Sequence, residues 1–198
     1  MSSTGQPVPG LEHIQLRYIP DFLGKQAADE ALAFLLESAA WAQREVKVYG
    51  KIYPQPRLTA WYGDPEASYT YSGLTWEPLP WLPLLATWRE QLQQALGVPF
   101  NSVLLNLYRT GQDKMGWHAD DEKELGPDPV IASISLGAER RFQIRPKDKS
   151  TPSVNIPLGH GSLLVMGSGV QQKYSHALPA AAKIDLPRIN LTYRQIYA

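Results

Sequence analysis

The sequence predicts an α+β fold in which two helices brace a β-sandwich or small barrel. Three observations carry this prediction. Helical spacing of apolar residues is confined to two segments of the first half, short strand-like runs between turn residues fill the second half, and no repeat, low-complexity tract or linker separates them. The 198 residues suit a single domain, 1–198, and an apolar content of 43% is that of an ordinary globular protein with a real core.

Taken in order, residues 1–20 contain Pro7, Pro9, Gly10 and Pro20 and read as an irregular N-terminal arm. Over 25–42, Ala28, Ala31, Leu32, Leu35, Leu36 and Ala39 recur at helical spacing, with Asp29, Glu30 and Glu37 on the other face. Residues 46–52 alternate like a strand, with Tyr49-Gly50 at a plausible turn. Trp61, Tyr62, Tyr69 and Tyr71 follow in a region punctuated by Gly, Pro and Ser. Such a cluster either stacks on bases or is simply buried ahead of a β-core. Leu82, Leu85, Trp88, Leu92 and Leu96 predict a second helix over 81–96, capped by Gly97. Strand-like runs then fall at 103–108, 130–136, 141–145, 153–158, 161–166 and 189–197.

Charge and cysteine content exclude several classes of function. Nineteen Lys+Arg balance nineteen Asp+Glu, so there is no global basic field of the kind a purely electrostatic nucleic-acid binder would show. Local clusters exist at Arg44, Lys47, Lys51 and Arg57, and at Arg140, Arg141, Arg145, Lys147 and Lys149. Each reads first as a solvated face. Without cysteine there are no disulfides, zinc ribbons or thiol nucleophiles. Residues 1–10 lack an apolar core, and the longest apolar run, 31–42, is broken by Glu37 and Ser38. Neither a signal peptide nor a membrane span is expected, which leaves the cytoplasm by default.

The chemistry concentrates in the stretch 106–122. His118 and Asp120 are two residues apart, and in extended backbone such residues project from one face, so both can converge on one ion. The chain has four histidines. His13 lies in the arm and His160 between glycines in a turn, which leaves His176 as the partner. Two imidazoles and a carboxylate with open positions opposite form the facial triad of non-haem Fe(II) oxygenases. The alternative is a loop histidine hydrogen-bonded to a nearby carboxylate.

A second constellation lies near the C-terminus. Period 2 puts Arg188, Asn190, Thr192 and Arg194 on one face and Ile189, Leu191 and Tyr193 on the other. Two guanidiniums within about 20 Å of extended chain, with an amide and a hydroxyl between them, suit a dicarboxylate. A solvated outer face of an ordinary antiparallel strand has the same alternation.

Together these residues carry a resemblance. Asn106-x-Tyr108, His118-x-Asp120, His176 and Arg188-x-Asn190-x-Thr192-x-Arg194 resemble, in order and spacing, the signature of the AlkB family of Fe(II)- and 2-oxoglutarate-dependent nucleic-acid dealkylases. Residues 56–64, 69–73, 131–138 and 158–164 are similar to the branch holding the animal DNA- and RNA-repair homologues, and the likeness runs from about 46 to 197.

The resemblance implies a double-stranded β-helix (jelly roll) core braced by N-terminal helices. It implies Fe(II) on His118, Asp120 and His176. It further implies 2-oxoglutarate held by Arg188 with Tyr108 at the distal carboxylate and by Arg194 with Asn106 at the iron-proximal end, with Asn190 steadying the strand. The implied reaction is oxidative demethylation of bases such as 1-methyladenine and 3-methylcytosine with Fe(II), O2 and 2-oxoglutarate, releasing formaldehyde and succinate. The implied partner is alkylated single- or double-stranded DNA, with RNA open, and a monomer is expected.

Resemblance also places Tyr71 and His118 on the two faces of the flipped base, Tyr69 nearby and Glu122 at its exocyclic amine. Asp121 and Glu122 would favour a cationic base, or else only support the iron loop. Tyr49, in Val48-Tyr49-Gly50, occupies the place of a base-displacing finger, or packs in a hairpin. Two other functions stay open: a 2-oxoglutarate oxygenase of a protein or small molecule, and a non-catalytic nucleic-acid-binding module.

Overall fold

A computed structural model describes the backbone of residues 5–48, 51–71 and 74–197, with side chains across these ranges except at 46–48, 69–71 and 74–76. The first strands, β1 (Gln6–Pro7) and β2 (Leu16–Ile19), precede helix α1 (Lys25–Ser38). Helix α1 buries Ala28, Ala31 and Leu35, as their spacing predicts. It stops four residues short of the expected end, because Ala39 is extended and Ala42 is drawn into a bridge with Thr59. Strands β3 (Glu45–Val48) and β4 (Lys51–Pro54) form a separate antiparallel ribbon. Next come β5 (Leu58–Gly63) and a second ribbon, β6 (Tyr69–Tyr71) with β7 (Leu74–Trp76). Helix α2 (Pro83–Leu96) begins two residues later than expected. Proline keeps its predecessor Leu82 extended and is itself well placed in the first turn, where its missing N–H costs nothing. Gly97, at φ +68°, closes α2 in the left-handed conformation.

The remaining strands are β8 (Ser102–Tyr108), β9 (Met115–His118), β10 (Ile131–Gly137), β11 (Arg140–Pro146), β12 (Val154–Leu158), β13 (Ser162–Met166), β14 (Tyr174–Leu178) and β15 (Arg188–Arg194), with the short helix α3 (Val170–Lys173) between β13 and β14. They distribute over two sheets. The larger runs β1-β2-β13-β10-β15-β8-β5 and the smaller β12-β11-β14-β9. From β8 to β15 the chain therefore crosses repeatedly between facing antiparallel sheets, which is the double-stranded β-helix.

Alternation along the strands decides what each face meets. Ile134 of β10 and Ile189, Leu191 and Tyr193 of β15 are fully buried with Leu35, Leu85 and Leu92 of the two helices, and the Tyr193 hydroxyl donates to Leu85 O at 3.0 Å. A second cluster joins Ile131 and Leu164 of the large sheet to Phe142, Ile144 and Ile156 of the small one. Both faces of the large sheet are thus covered, and the polar face of β15 looks inward. Its expected alternative, a solvated face, is ruled out by exposures of 2% at Arg188 and 5% at Arg194.

The irregular arm expected over 1–20 is corrected. β2 pairs with β13 from Leu16↔Met166 to Ile19↔Leu163, and Val8, Leu11 and Leu16 are buried in the second cluster. Without β2, strand β13 would expose a row of unpaired N–H and C=O groups. Pro7 sits in β1, the sheet's edge strand, where a missing donor is tolerated. Among the described residues no helix is long and apolar enough to cross a membrane.

Candidate metal centre and carboxylate pocket

β9 and β14 are neighbours in the small sheet, and their register makes His118 and His176 cross-strand partners. The two rings meet edge to face at 4.3 Å between centroids, and Phe142 stacks on His176 at 5.2 Å. His118 closes β9, so Asp120 lies past the strand end rather than on its face. What turns it inward is a bond to the preceding part of β14's connection: the Asp120 N–H donates to Gln171 Oε1 at 3.0 Å. One ligand atom from each of His118, Asp120 and His176 then lies within 4.8 Å of the others. Asp120 Oδ2 is 3.7 Å from His176 Nε2.

Protonation states suit a divalent cation. Burial pushes His176 down to about 4, helped by the adjacent His118, so its imidazole is neutral at physiological pH. Burial works to raise the Asp120 carboxyl, but the Arg194 guanidinium and the two imidazoles outweigh it and hold the group below the usual carboxylate range. His118 Nδ1 lies 2.9 Å from Gly116 O. A carbonyl only accepts, so Nδ1 carries the proton and Nε2 is left as the ligand atom.

The polar face of β15 lines the adjoining space. Arg188 Nη2 donates to Ser135 Oγ at 2.9 Å, and its guanidinium lies 5.4 Å from the centre of the Tyr108 ring. Burial, with Arg140 nearby, pushes Arg188 down to about 10, and no carboxylate pairs with it among the described residues. Arg194 Nη1 is 3.7 Å from Asp120 Oδ1, which links this strand to the candidate triad. The Nε atoms of both Arg188 and Arg194 are buried without a hydrogen-bond partner. Buried cationic donors left unmatched are costly unless an anion completes them, and a dicarboxylate supplies one at each end.

The polar middle of the strand is tied to β10. Asn190 Nδ2 donates to Ser133 Oγ at 2.6 Å, and Thr192 Oγ1 donates to Asn190 Oδ1 at 3.0 Å. Register sets Arg188 opposite Tyr108, as expected of that pair. Asn106 and Arg194 are both buried on the paired strands β8 and β15. Asn106 lies across from Asn190, its Oδ1 accepts from Arg57 Nε at 2.7 Å, and Arg194 faces Ser102.

Other expected residues fall elsewhere. His160 is held by Gly137 N–H and Asp29, and His13 by the Tyr174 hydroxyl, both away from the triad. Asp121 is exposed and ion-paired with Lys147 at 2.7 Å, and Glu122 is half-buried beside it. Trp61 and Tyr62 are core residues, with the Arg194 guanidinium 5.4 Å from the Trp61 ring. Tyr49 lies outside the described residues. Tyr69 and Tyr71 lie on β6, but their side chains are outside the description.

Arg57 and Arg140 correct the reading of the basic clusters as solvated, since both are buried. Arg140 donates to Thr110 O, Asp113 O and Pro179 O, and so fastens the loops around the site. The signal was present, because Arg140, Phe142 and Ile144 alternate with Arg141, Gln143 and Arg145. Gln171, Ser135 and Trp117 carried no comparable signal. Trp117 is 39% exposed on the outer side of β9, with the Arg145 guanidinium 3.9 Å from its ring centre. A cleft of about 540 Å³ lined by Asp121, Lys123, Pro127, Gln171 and Gln172 opens beside the triad.

The profile of the 2OG-Fe(II) oxygenase superfamily matches residues 15–194. Over 183 residues the chain is 44% identical to human DNA oxidative demethylase ALKBH2, covering 87% of this chain and 70% of that protein. The chain belongs to the AlkB-type 2OG-Fe(II) oxygenases. It is also 43% identical over 187 residues to alpha-ketoglutarate-dependent dioxygenase alkB homolog 3 of Mus musculus, covering 90% of this chain and 65% of that protein. The chain thus spans 65% of the length of that relative. A solved structure, that of OsALKBH1, superposes with a TM-score of 0.59 over 91% of this chain and 96% of its own, at 18% identity, and bears on the fold alone. The superfamily implies Fe(II) and 2-oxoglutarate. The donor set of the triad fits the first, and the unmatched buried guanidinium nitrogens fit the second.

Proposed function

We propose that the chain is an Fe(II)/2-oxoglutarate-dependent dioxygenase that reverses base alkylation directly, removing the methyl group of 1-methyladenine and 3-methylcytosine in DNA. The observation that carries the reading is the convergence of His118, Asp120 and His176 beside two buried arginines whose Nε atoms have no partner. Similarity to proteins named DNA oxidative demethylase and alkB homolog 3 supports the substrate class. When bound, the metal supplies dioxygen activation driven by decarboxylation of 2-oxoglutarate to succinate and CO2.

The chain's own residues position, charge-match and exclude water. Arg188 with Tyr108 takes the distal carboxylate of 2-oxoglutarate, while Arg194 sits near the metal end beside Asp120. Asn106 joins Arg194 at that end, and Asn190, fixed by Ser133, keeps the strand from shifting. A guanidinium meets a carboxylate with two parallel N–H donors, which an ammonium cannot reproduce. Phe142 against His176 and the closed core behind it keep bulk water from that side of the site.

Base recognition is assigned to Tyr69, Tyr71 and Glu122, with Asp121 and Lys147 on the rim. The exposed Trp117 under Arg145 offers a flat face and a positive charge for the strand outside the pocket. We extend the reading to single- and double-stranded DNA, with single strands processed at least as well and RNA as a further substrate. The chain is taken to act as a cytoplasmic monomer with one catalytic domain. Tyr49→Ala, assayed on matched single- and double-stranded 1-methyladenine substrates, is expected to lose activity selectively on the duplex. Equal loss on both substrates would remove the finger role.

The test is release of succinate and formaldehyde with Fe(II), 2-oxoglutarate and O2, comparing methylated with unmethylated oligonucleotides. Formaldehyde matched to succinate, and only with the methylated strand, is expected. Succinate release indifferent to any oligonucleotide would point to a protein or small-molecule substrate. Nucleic-acid binding without succinate would make the chain a binding module.

A further inference from the structure

The segment that carries Asp120 begins where the β-ladder ends, so something other than sheet pairing must hold a metal-ligating carboxylate in place. β9 closes at His118, and the next strand starts at Ile131. This segment is fastened to α3 and the residues before it. On the outside, the Asp128 carboxylate accepts from Gly169 N–H at 2.7 Å and from the Ser168 hydroxyl, and Gln172 Nε2 donates to Pro127 O and to Asp128. On the inside, the Gln171 side chain reaches the Asp120 backbone.

Gln171 is 1% exposed. Its Nε2 donates to Met166 Sδ at 3.3 Å, and its Oε1 accepts the Asp120 N–H at 3.0 Å. The same oxygen lies 3.3 Å from His176 Nε2. The amide orientation is fixed chemically, because a backbone N–H only donates and the atom facing it must be the oxygen. One carbonyl oxygen therefore lies against two of the three triad residues, one past the end of β9 and one on β14, 56 positions apart in sequence. Buried polar groups held this way are satisfied on both sides, and removal of the oxygen would leave the Asp120 N–H unpaired in a closed site.

We propose that Gln171 is a positioning residue that sets the metal affinity of the His118/Asp120/His176 centre by holding the Asp120 backbone from β14's side. The proposal rests on the metal-centre reading given above. It assigns Gln171 no contact with substrate. Partners of metal ligands typically change metal affinity or activity by about 10–100-fold when replaced.

The test uses the metal-free full chain titrated with Co(II), followed by visible absorption, together with thermal melting. Gln171→Met keeps length and bulk but removes the acceptor. It should weaken Co(II) binding by about 10–100-fold while still melting cooperatively. Gln171→Glu restores an acceptor facing the Asp120 N–H and should recover most of the affinity. Gln172→Met, which loosens the same segment from outside, should bind Co(II) like the parent. At saturating Fe(II) the Met variant should regain turnover with an unchanged KM for 2-oxoglutarate.

Parent-like Co(II) affinity in Gln171→Met overturns the proposal, as does equal loss in the Met and Glu variants or equal loss in Gln172→Met. If the Met variant does not fold, the Glu variant decides: near-parent affinity supports the role, and a tenfold or greater loss overturns it. A parent chain that binds no Co(II) would refute the metal centre itself and the inference with it. Intact parent binding with unaffected variants would refute only the role of Gln171.

Discussion

The two sheets of this jelly roll contribute to the site in different ways. The large sheet is covered on both faces, by α1 and α2 outside and by the small sheet inside. Its strand β15 pairs with β8 from Arg188 to Arg194 and with β10 from Arg188 to Tyr193, so both arginines stand on a ladder with Leu191 and Tyr193 anchored behind them. The small sheet has an outer face in contact with solvent, where Trp117 and Arg141 are exposed, and it offers His118 from β9 at the edge and His176 from β14. The register between β9 and β14 shifts just beyond His176, and Asp120 lies past the ladder. The buried arginines are thus set by the sheet covered on both faces, whereas the arrangement of the triad depends on a strand end, a short helix and a few side-chain bonds.

Ligand removal should have the largest effect. His118→Ala, Asp120→Ala and His176→Ala each take one of three donors and should abolish turnover, as read by succinate release. His160→Ala, on a histidine held by Gly137 and Asp29, should keep metal binding. Loss of metal in the His160 variant comparable to that in the others would mean that the small sheet does not hold the centre as described.

The stability contrast comes next. Leu191→Ala opens a cavity under β15 and should cost about 2–5 kcal/mol in denaturant unfolding. Trp117→Ala on the small sheet's outer face loses mainly its contact with Arg145 and should cost no more than about 1 kcal/mol. Equal costs would remove the distinction between a closed sheet and an open one. Ser135→Ala is a smaller change still. It deletes one donor–acceptor pair from Arg188 and, at about 0.5–1.5 kcal/mol per hydrogen bond, should raise the KM for 2-oxoglutarate by between about twofold and tenfold. An unchanged KM would show that Ser135 does not align the guanidinium.

Legibility from sequence follows the same division. Alternation on β15 announced both of its faces, and apolar spacing with Gly97 marked α2 to within two residues, because local periodicity and capping chemistry are written in neighbouring residues. His118, Asp120 and His176 were recoverable because only four histidines exist and two lie beside turn residues. The parts that were missed depend on distant partners. β2 is a strand only because β13 needs a neighbour, and Gln171 matters only because α3 lies against the Asp120 segment. Arg140 looked like part of a surface run because its three carbonyl acceptors come from loops 27 to 39 residues away. The bond from Arg57 to Asn106 was invisible for the same reason, since the two residues stand 49 positions apart.

The most direct measurement is anaerobic binding of 2-oxoglutarate to the Fe(II)-treated chain, with bound iron counted in the same samples, for the parent, Arg188→Lys and Asp120→Ala. One iron and one 2-oxoglutarate per parent chain are predicted. Arg188→Lys should retain the iron and bind 2-oxoglutarate about tenfold or more weakly, since it loses a charge-assisted two-pronged contact. Asp120→Ala should lose the iron. Parent-like 2-oxoglutarate affinity in Arg188→Lys, or full iron occupancy in Asp120→Ala, would contradict a site built half from each sheet.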